Sequence, residues 1–405
     1  MNITAVLARR SLGRVAFPVF LALVVLNTVL RTMTWRHEWM WAVYQYNFTV
    51  MLLGPLLAGI AGWEGYRLAK AQSFLLSHQR PIKVLASATL ALWAWCAFAF
   101  LLGLVMIGGI VISAGTPWQA GVHELVTPLP ALLLLLAECA IGVIAGWLSG
   151  SKLAPPLAAI VVFLASLLLY SGDLSEFVMV GGATGSLVGL EPKMATQAWQ
   201  CVFFFLAALI VILGGAWLAT WYRIPRWPVM SIAAVVTAVA AVQLGSVSPL
   251  YLEARKGDVV CQGSVPEICL GRSYQHYEPH LRVSLMPLEK AITGLGLQAP
   301  IAYRQDALTT KAGTAQLGLD TITGTDKDVL VDMVLGTYYG SACTIEPGTQ
   351  MEKNYSNARY YLAKSVHASA DPDDPVLDPK IAHGDAAQQK DVARKAFHGL
   401  ITCHA

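Results

Sequence analysis

Pro228-Val-Met-Ser-Ile-Ala-Ala-Val-Val-Thr-Ala-Val-Ala-Ala-Val-Gln-Leu-Gly-Ser-Val247 runs for twenty residues without a charge, and Ser248-Pro-Leu-Tyr-Leu-Glu-Ala-Arg-Lys-Gly-Asp258 then brings four charges within eleven. The first stretch has the length that crosses ~30 Å of hydrocarbon as a helix. The second belongs in water. Composition changes at the same place: residues 251–405 hold 15 of the 28 Lys and Arg and 18 of the 25 Asp and Glu, which leaves 13 basic and seven acidic groups for the first 250. The whole chain of 405 residues is 13% charged, about half the usual ~25% share. A segment as apolar as the first 250 residues needs lipid as its solvent.

Toward the N-terminus, six more apolar runs fill residues 15–30, 47–63, 84–113, 126–148, 153–170 and 198–221. Each is close to the length of a membrane-crossing helix, and Pro155 and Pro156 suit the first turn of the fifth. The start of the chain is expected to be a retained first span, because no small-residue cleavage pattern follows it. Orientation follows from Lys and Arg in alternate short loops, since positive charge stays on the cytoplasmic side. One set contains Arg9, Arg10, Arg14, Arg67, Lys70, Arg80, Lys83, Lys152, Arg223 and Arg226; the other has only Arg31, Arg36 and Lys193. This places the N-terminus in the cytoplasm of a multi-pass plasma-membrane protein and, after seven crossings, residues 251–405 outside.

Cysteine usage gives an independent reading of the same topology. The polar part holds four, Cys261, Cys269, Cys343 and Cys403, an even set that fits an oxidising compartment. Four cysteines allow three pairings; Cys261 with Cys269 and Cys343 with Cys403 is the favoured one. The second pair closes a long loop, worth about 4 kcal/mol in the chain-entropy account. Cys96, Cys139 and Cys201 lie inside apolar runs, where a thiol packs as a small hydrophobe.

Within the polar part, Val259-Val-Cys261 reads as a short strand, and Leu281, Leu285, Leu288, Ile292 and Leu295 repeat at helical spacing up to Gly294 and Gly296. A strand is expected at 301–303. Asp326 is expected to cap a helix through Leu330, Val334 and Tyr338, Asn354 one through Tyr361, Leu362 and Val366, and Asp385 a last one ending near Cys403. Asp371-Pro-Asp-Asp-Pro is a loop. The sum is a mainly helical α+β domain, with no internal repeat or heptad run.

The loop after the second run, Trp63-Glu-Gly-Tyr-Arg-Leu-Ala-Lys-Ala-Gln-Ser-Phe-Leu-Leu-Ser-His-Gln-Arg-Pro81, is amphipathic and precedes a long third run. Here the chain resembles the transmembrane subunit of a type 2 ABC exporter. In that family an acidic residue at the end of the second span precedes a short helix with a Leu-Leu pair and a Pro, and this helix docks on the ATPase subunit. The resemblance puts Glu64, Arg67, Phe74, Leu75, Leu76 and Pro81 in the matching places, with Lys70 where the family often has glycine. Transmitting a closure driven by ATP needs such a stiff lateral helix with an apolar ridge; the competing reading is an interfacial helix anchoring the loop to lipid.

The resemblance covers about 220 residues and extends to residues 171–194, where the family has short external helices dipping into the membrane. Gly181-Gly-Ala-Thr-Gly-Ser-Leu-Val-Gly189 fits such a re-entrant segment or a plain glycine-rich loop. It implies a six-span permease core at 1–227, working as a dimer with a cytoplasmic ATPase subunit, to which this chain adds a seventh span at 228–250 and an extracytoplasmic domain at 251–405. The opening of that domain, from Val260-Cys-Gln-Gly-Ser to Tyr274 and a helix, is similar to the tail of an uncharacterised bacterial permease family, which implies no activity.

Glu138, in Leu-Leu-Ala-Glu-Cys-Ala-Ile-Gly, is the one carboxylate near the middle of an apolar run. A charge there costs a few kcal/mol or more unless paired or neutralised, so it reads either as a polar contact on a substrate or proton path or as a neutral carboxyl in one interhelical hydrogen bond. His276 and His280, with Glu278 between them, are a candidate metal pair, with His367, His383, His398 or His404 as a third ligand; Pro279 is expected to disrupt the helix that would align them, and the order is not His-Glu-x-x-His. No metal or cofactor is assigned.

Net charge is +3 with no basic stripe, which sets nucleic acid aside. There is no Gly-x-Ser-x-Gly elbow and no Walker lysine loop, so ATP hydrolysis is expected on the partner. Trp35, Trp39, Trp41, Trp118, Trp147, Trp221 and Trp227 sit near run ends as an aromatic belt. The expected function is export of an amphiphilic substrate, a peptide antibiotic or a lipid. The alternatives are a membrane-anchored enzyme and a sensor, each acting through the external domain.

Overall fold

A computed structural model describes residues 11–31, 33–72, 80–118, 121–171, 179–182, 185–220, 227–246, 252–255, 257–263, 265–305, 313–323, 326–338 and 343–403. The chain is mostly helical and forms two compact units: Met1–Leu187 with Glu191–Glu253, and Val188–Leu190 with Ala254–Ala405. Against the expected boundary at 251, the second unit starts three residues later and also takes in a short piece from before the sixth run.

In the first unit the helices are α1 (Leu12–Val29), α2 (Trp39–Asn47), α3 (Val50–Lys70), α4 (Pro81–Ser113), α5 (Val122–Val126), α6 (Pro128–Ser149), α7 (Ala154–Ser171), α8 (Met194–Thr220) and α9 (Trp227–Ser246). A helix covers each of the seven apolar runs. Five stretches are long and apolar enough to cross a membrane: Leu12–Val29, Trp39–Lys70, Pro81–Ser113, Val122–Ser149 and Met194–Leu218; α7 and α9 contribute the shorter apolar stretches Ala154–Leu168 and Ala234–Leu244. Pro81 opens α4 and Pro128 opens α6, positions where a missing amide hydrogen costs nothing. Outward faces are apolar: α7 exposes Leu157, Ile160, Val161, Leu164 and Leu168 along one side. An unbroken apolar stripe facing out of a bundle marks a lipid or partner surface.

Packing inside this unit runs through α3 and α6. Gly142 lies under the Ala58 carbonyl, Gly146 under the Gly62 carbonyl and Gly65 under the Val143 carbonyl, so that a Cβ at any of the three would overlap backbone. Small residues four apart bring helix axes close without a hydrophobic driving force between them. On its other side α3 meets α7, where Gly62 faces Pro155 and Gly59 faces Ala159.

The second unit has strands β3 (Val259–Gln262), β4 (Glu267–Gly271), β5 (Ala302–Arg304) and β6 (Thr314–Gln316) in one sheet of that order; β1 (Leu190–Pro192) and β2 (Leu252–Ala254) pair separately. β3 and β4 are antiparallel, with Cys261 opposite Cys269, while β4–β5 and β5–β6 are parallel. Helix α10 (Glu278–Thr293) is the crossover from β4 to β5, and α11 (Leu319–Thr323), α12 (Lys327–Leu335), α13 (Gln350–Val366), α14 (Pro379–His383) and α15 (Ala386–Thr402) follow. The core gathers the expected stripe Leu281, Leu285, Leu288, Ile292 and Leu295 with Tyr274, Tyr303, Val334, Leu362 and Phe397, and it includes Val188.

Asp326 and Asp385 cap α12 and α15 as expected, each accepting from two backbone amides. Asn354 does not cap: α13 starts a turn earlier with Thr349 as its cap, whose hydroxyl accepts from the Glu352 amide. Thr-x-x-Glu is the local signal for that start. Pro279 likewise opens α10 instead of disrupting it. Two cysteine pairs lie at disulfide distance, Cys261 with Cys269 across the β3–β4 ladder and Cys343 with Cys403, 60 residues apart with Cα atoms 5.4 Å from each other.

Candidate functional site

The glycine ladder of α3 and α6 has one exception. On α6 the rungs at four-residue spacing are Glu138, Gly142 and Gly146, and the first of them is a carboxyl. It fits because the facing residue on α3 is Gly54, where a Cβ would overlap the Glu138 carboxyl group. The side chain is buried, and Ser166 Oγ on α7 donates to its Oε1 at 3.4 Å. Its Oε2 has no hydrogen-bond partner among the described residues. A carboxyl with one oxygen weakly bonded and one unpaired, enclosed by three helices, can take up a proton or accept from a donor group. Leaving it a bare, unpaired charge in an apolar bundle is costly. Next to it, Cys139 donates its thiol to the Thr89 carbonyl on α4 at 3.5 Å, a packing role.

At the opposite end of α3, the buried Glu64 carboxylate pairs with Arg67 at 3.2 Å and lies near the Leu12 amide in the first turn of α1. Ser11 Oγ accepts from the Gly13 amide beside it. A carboxylate at a helix N-terminus meets unpaired amides and the positive end of the dipole, so Glu64 sets the end of α3 against the start of α1. Arg67 is half exposed, and an ion pair of that kind contributes at most about 1 kcal/mol. Pro81 starts the 33-residue α4. Phe74, Leu75 and Leu76, between these anchors, lie outside the described residues.

A third polar group was not singled out by sequence. The Asn47 amide at the end of α2 donates to the carbonyls of Thr127 and Val180 at 2.8 and 2.9 Å, and Gln197 of α8 donates to Thr127 Oγ1 at 2.9 Å. Thr127 in turn donates to the His123 carbonyl at 2.7 Å. Glu38 accepts from Ser186 Oγ and from the Leu187 amide. These bonds tie Val180, Ser186 and Leu187 to the two ends of α2, and Gly181 packs against the Tyr44 carbonyl and Asn47. Close backbone approach is the use foreseen for the glycines of 181–189, but the described part of that stretch is bend and turn without a helix. Amides at the edge of apolar runs, Asn47 and Gln197, were the available signal.

In the second unit the His276–His280 pair does not assemble. His276 is exposed with its ring against Tyr277, His280 is exposed, and the buried Glu278 between them is held by Arg282 at 2.7 Å. Among the described residues, the group of three side chains that lies at metal-ligand distance is Cys261, Glu267 and Cys269, and its two sulfurs are at bonding distance of each other. Cys261, Cys269, Cys343 and Cys403 act as staples of the fold.

A cleft of about 770 Å³ lies at the C-terminal end of this unit, lined by Leu295, Leu297, Asn354, Arg394, Lys395 and His398 among others. Compared with known proteins, the chain matches no family model, no curated protein and no solved structure.

Proposed function

We propose that the chain is the transmembrane permease subunit of a type 2 ABC exporter, working as a dimer with a separate cytoplasmic ATPase subunit that hydrolyses the nucleotide. The carrying observation is the join at the end of α3. Glu64 sits against the first turn of α1 there, and Pro81 opens a 33-residue helix after a loop whose sequence has the apolar ridge Phe74-Leu75-Leu76. A lateral lever attached to that join would pass force to α1 and α3 together, which is what coupling to ATP-driven closure requires. The glycine ladder gives α3 and α6 a stiff shared axis along which such a displacement would travel.

The seven apolar helices would be seven spans of a multi-pass plasma-membrane protein, with the N-terminus inside and the second unit outside. The assignment of Val188–Leu190 to the second unit supports this sidedness. Only α8 and α9 separate that segment from Ala254, and two crossings return the chain to the side it left. The outside domain would select an amphiphilic substrate or cap its exit.

The test is copurification of a tagged chain from its own cells in mild detergent. The expected result is an ABC nucleotide-binding subunit in stoichiometric amount, lost in Leu75→Asp/Leu76→Asp while membrane insertion is unchanged. Absence of that subunit from the wild type, or its retention by the variant, rejects the reading.

A further inference from the structure

We propose that the cleft of the second unit is a binding site for an anionic amphiphile, a molecule with a phosphate-type headgroup and an apolar tail. The cleft, about 770 Å³, lies between the end of α10, one face of α13 and one face of α15, and its size falls in the ordinary range of small-molecule sites. Its lining has two characters. The apolar wall is Leu295 with Leu297, just past the end of α10. The polar wall comes from α15, where Arg394, Lys395 and His398 share one face, and no carboxylate is among the lining residues. Asp391, one turn earlier, pairs with Arg394 at 3.0 Å and with Lys395 at 2.7 Å. It draws the two cations together and leaves one net positive charge plus the histidine.

Two further observations point to a ligand. Asn354 is 92% buried, with 8% of its surface exposed, and its Oδ1 accepts from Gln350 Nε2 at 3.1 Å. Among the described residues its amide N–H groups have no hydrogen-bond partner in the protein, yet the residue lines the cleft. An amide that opens onto the cleft can donate to an anionic oxygen held there. Near the C-terminal end of α15 the cleft wall is Gly399. Glycine in a helix costs roughly 1 kcal/mol relative to alanine, and here it leaves that part of the cleft wall without a side chain. An arginine fork beside an ammonium and an amide is a phosphate-type donor set, and the leucine wall adds what a bare anion cannot use.

This site deepens the reading of the outside domain as one that selects an amphiphile and is independent of ATPase association. The experiment is hydrogen exchange read by mass spectrometry on the full chain in maltoside micelles. Three probes at equal concentration are compared: dihexanoylphosphatidylglycerol, dihexanoylphosphatidylcholine and sodium phosphate. The expected result is protection of peptides covering 350–357 and 392–402 by the anionic lipid alone, with exchange across 327–335 unchanged. Arg394→Ala/Lys395→Ala should weaken this binding about tenfold or more. Gly399→Leu, which improves helix propensity and leaves every charge in place, should do so by filling the cleft. Equal protection by the choline lipid overturns the charge assignment, equal protection by phosphate overturns the apolar half, and no protection by any probe overturns the site. Because copurification of the ATPase is measured separately, failure here and failure of the permease reading are distinguishable.

Discussion

Gly146 and Gly399 each sit inside a helix near its C-terminal end, and the two halves of the molecule use them in opposite ways. In α6 of the first unit, glycine lets a neighbouring backbone touch the helix, with the Gly62 carbonyl where a side chain would be. In α15 of the second unit, it borders open space in a cleft. The difference reflects the solvent each half is built for. Helices with apolar outer faces gain little from sequestering leucines, so contact distance and small residues hold them together. The second unit turns its leucines inward around Phe397 and Tyr303 and puts its charges outside, so burial from water holds it, with the Cys343–Cys403 pair closing one long loop.

Substituting the same residue in both halves is the strongest way to break this comparison. Gly146→Leu should abolish the folded first unit, since the Cβ alone overlaps the Gly62 carbonyl and a close-packed seam cannot yield locally. Gly399→Leu should leave the fold intact. Size-exclusion profiles of the two purified variants decide it, and a monodisperse Gly146→Leu protein would mean the ladder is not what joins α3 and α6.

Next in size is the longer staple. Cys343→Ser/Cys403→Ser frees a loop spanning 60 residues and should cost about 4 kcal/mol, read as a lower unfolding midpoint that a reductant no longer changes. A coupling of roughly 1–3 kcal/mol is expected between Gly54 and Glu138. Gly54→Ala alone should destabilise by pressing on the carboxyl, and adding Glu138→Ala should restore most of the loss. Additive effects in that cycle would separate the two residues.

Smaller still is the Arg359 cluster, in which the guanidinium meets Asp328 at 3.0 Å and Asp332 at 2.8 Å. Arg359→Met should cost about 1 kcal/mol at low salt and less at high salt. The smallest effect is one of pH. Burial lifts the Glu289 carboxyl above its ordinary range, while the nearby Tyr303 hydroxyl and the charge of Arg282 pull it partly back. Its folded form therefore holds a proton that the unfolded chain has released, and stability falls as pH rises through the interval above the ordinary carboxylate value. Glu289→Gln should flatten that part of the stability profile.

Much of this was legible in the chain because it is written locally. Apolar runs announce helices, Asp326 and Asp385 announce their caps, and the stripe from Leu281 to Ile292 lies on one helical face with Leu295 just past its end. Reading failed where a local signal had a stronger neighbour: Asn354 looked like a cap, but Thr349 with Glu352 forms one a turn earlier. It also failed where polar residues needed distant partners, as for Asn47 with Val180 and Gln197 with Thr127. Strand β4 (Glu267–Gly271) was missed because five residues with one flanking proline carry little periodicity.

By itself the sequence determined the division into an apolar and a charged half, the helices of each and the asymmetry of positive charge, since all three depend on composition and on spacing within a few residues. It also marked Glu138 as misplaced by polarity. Only the tertiary structure decided that Gly54 is what makes room for it, that Val188 completes a core built from residues after 254, and that Asn354, Leu297 and Arg394 border one cleft. Those are meetings of residues far apart along the chain, and no local pattern encodes which distant surface a helix face will bury.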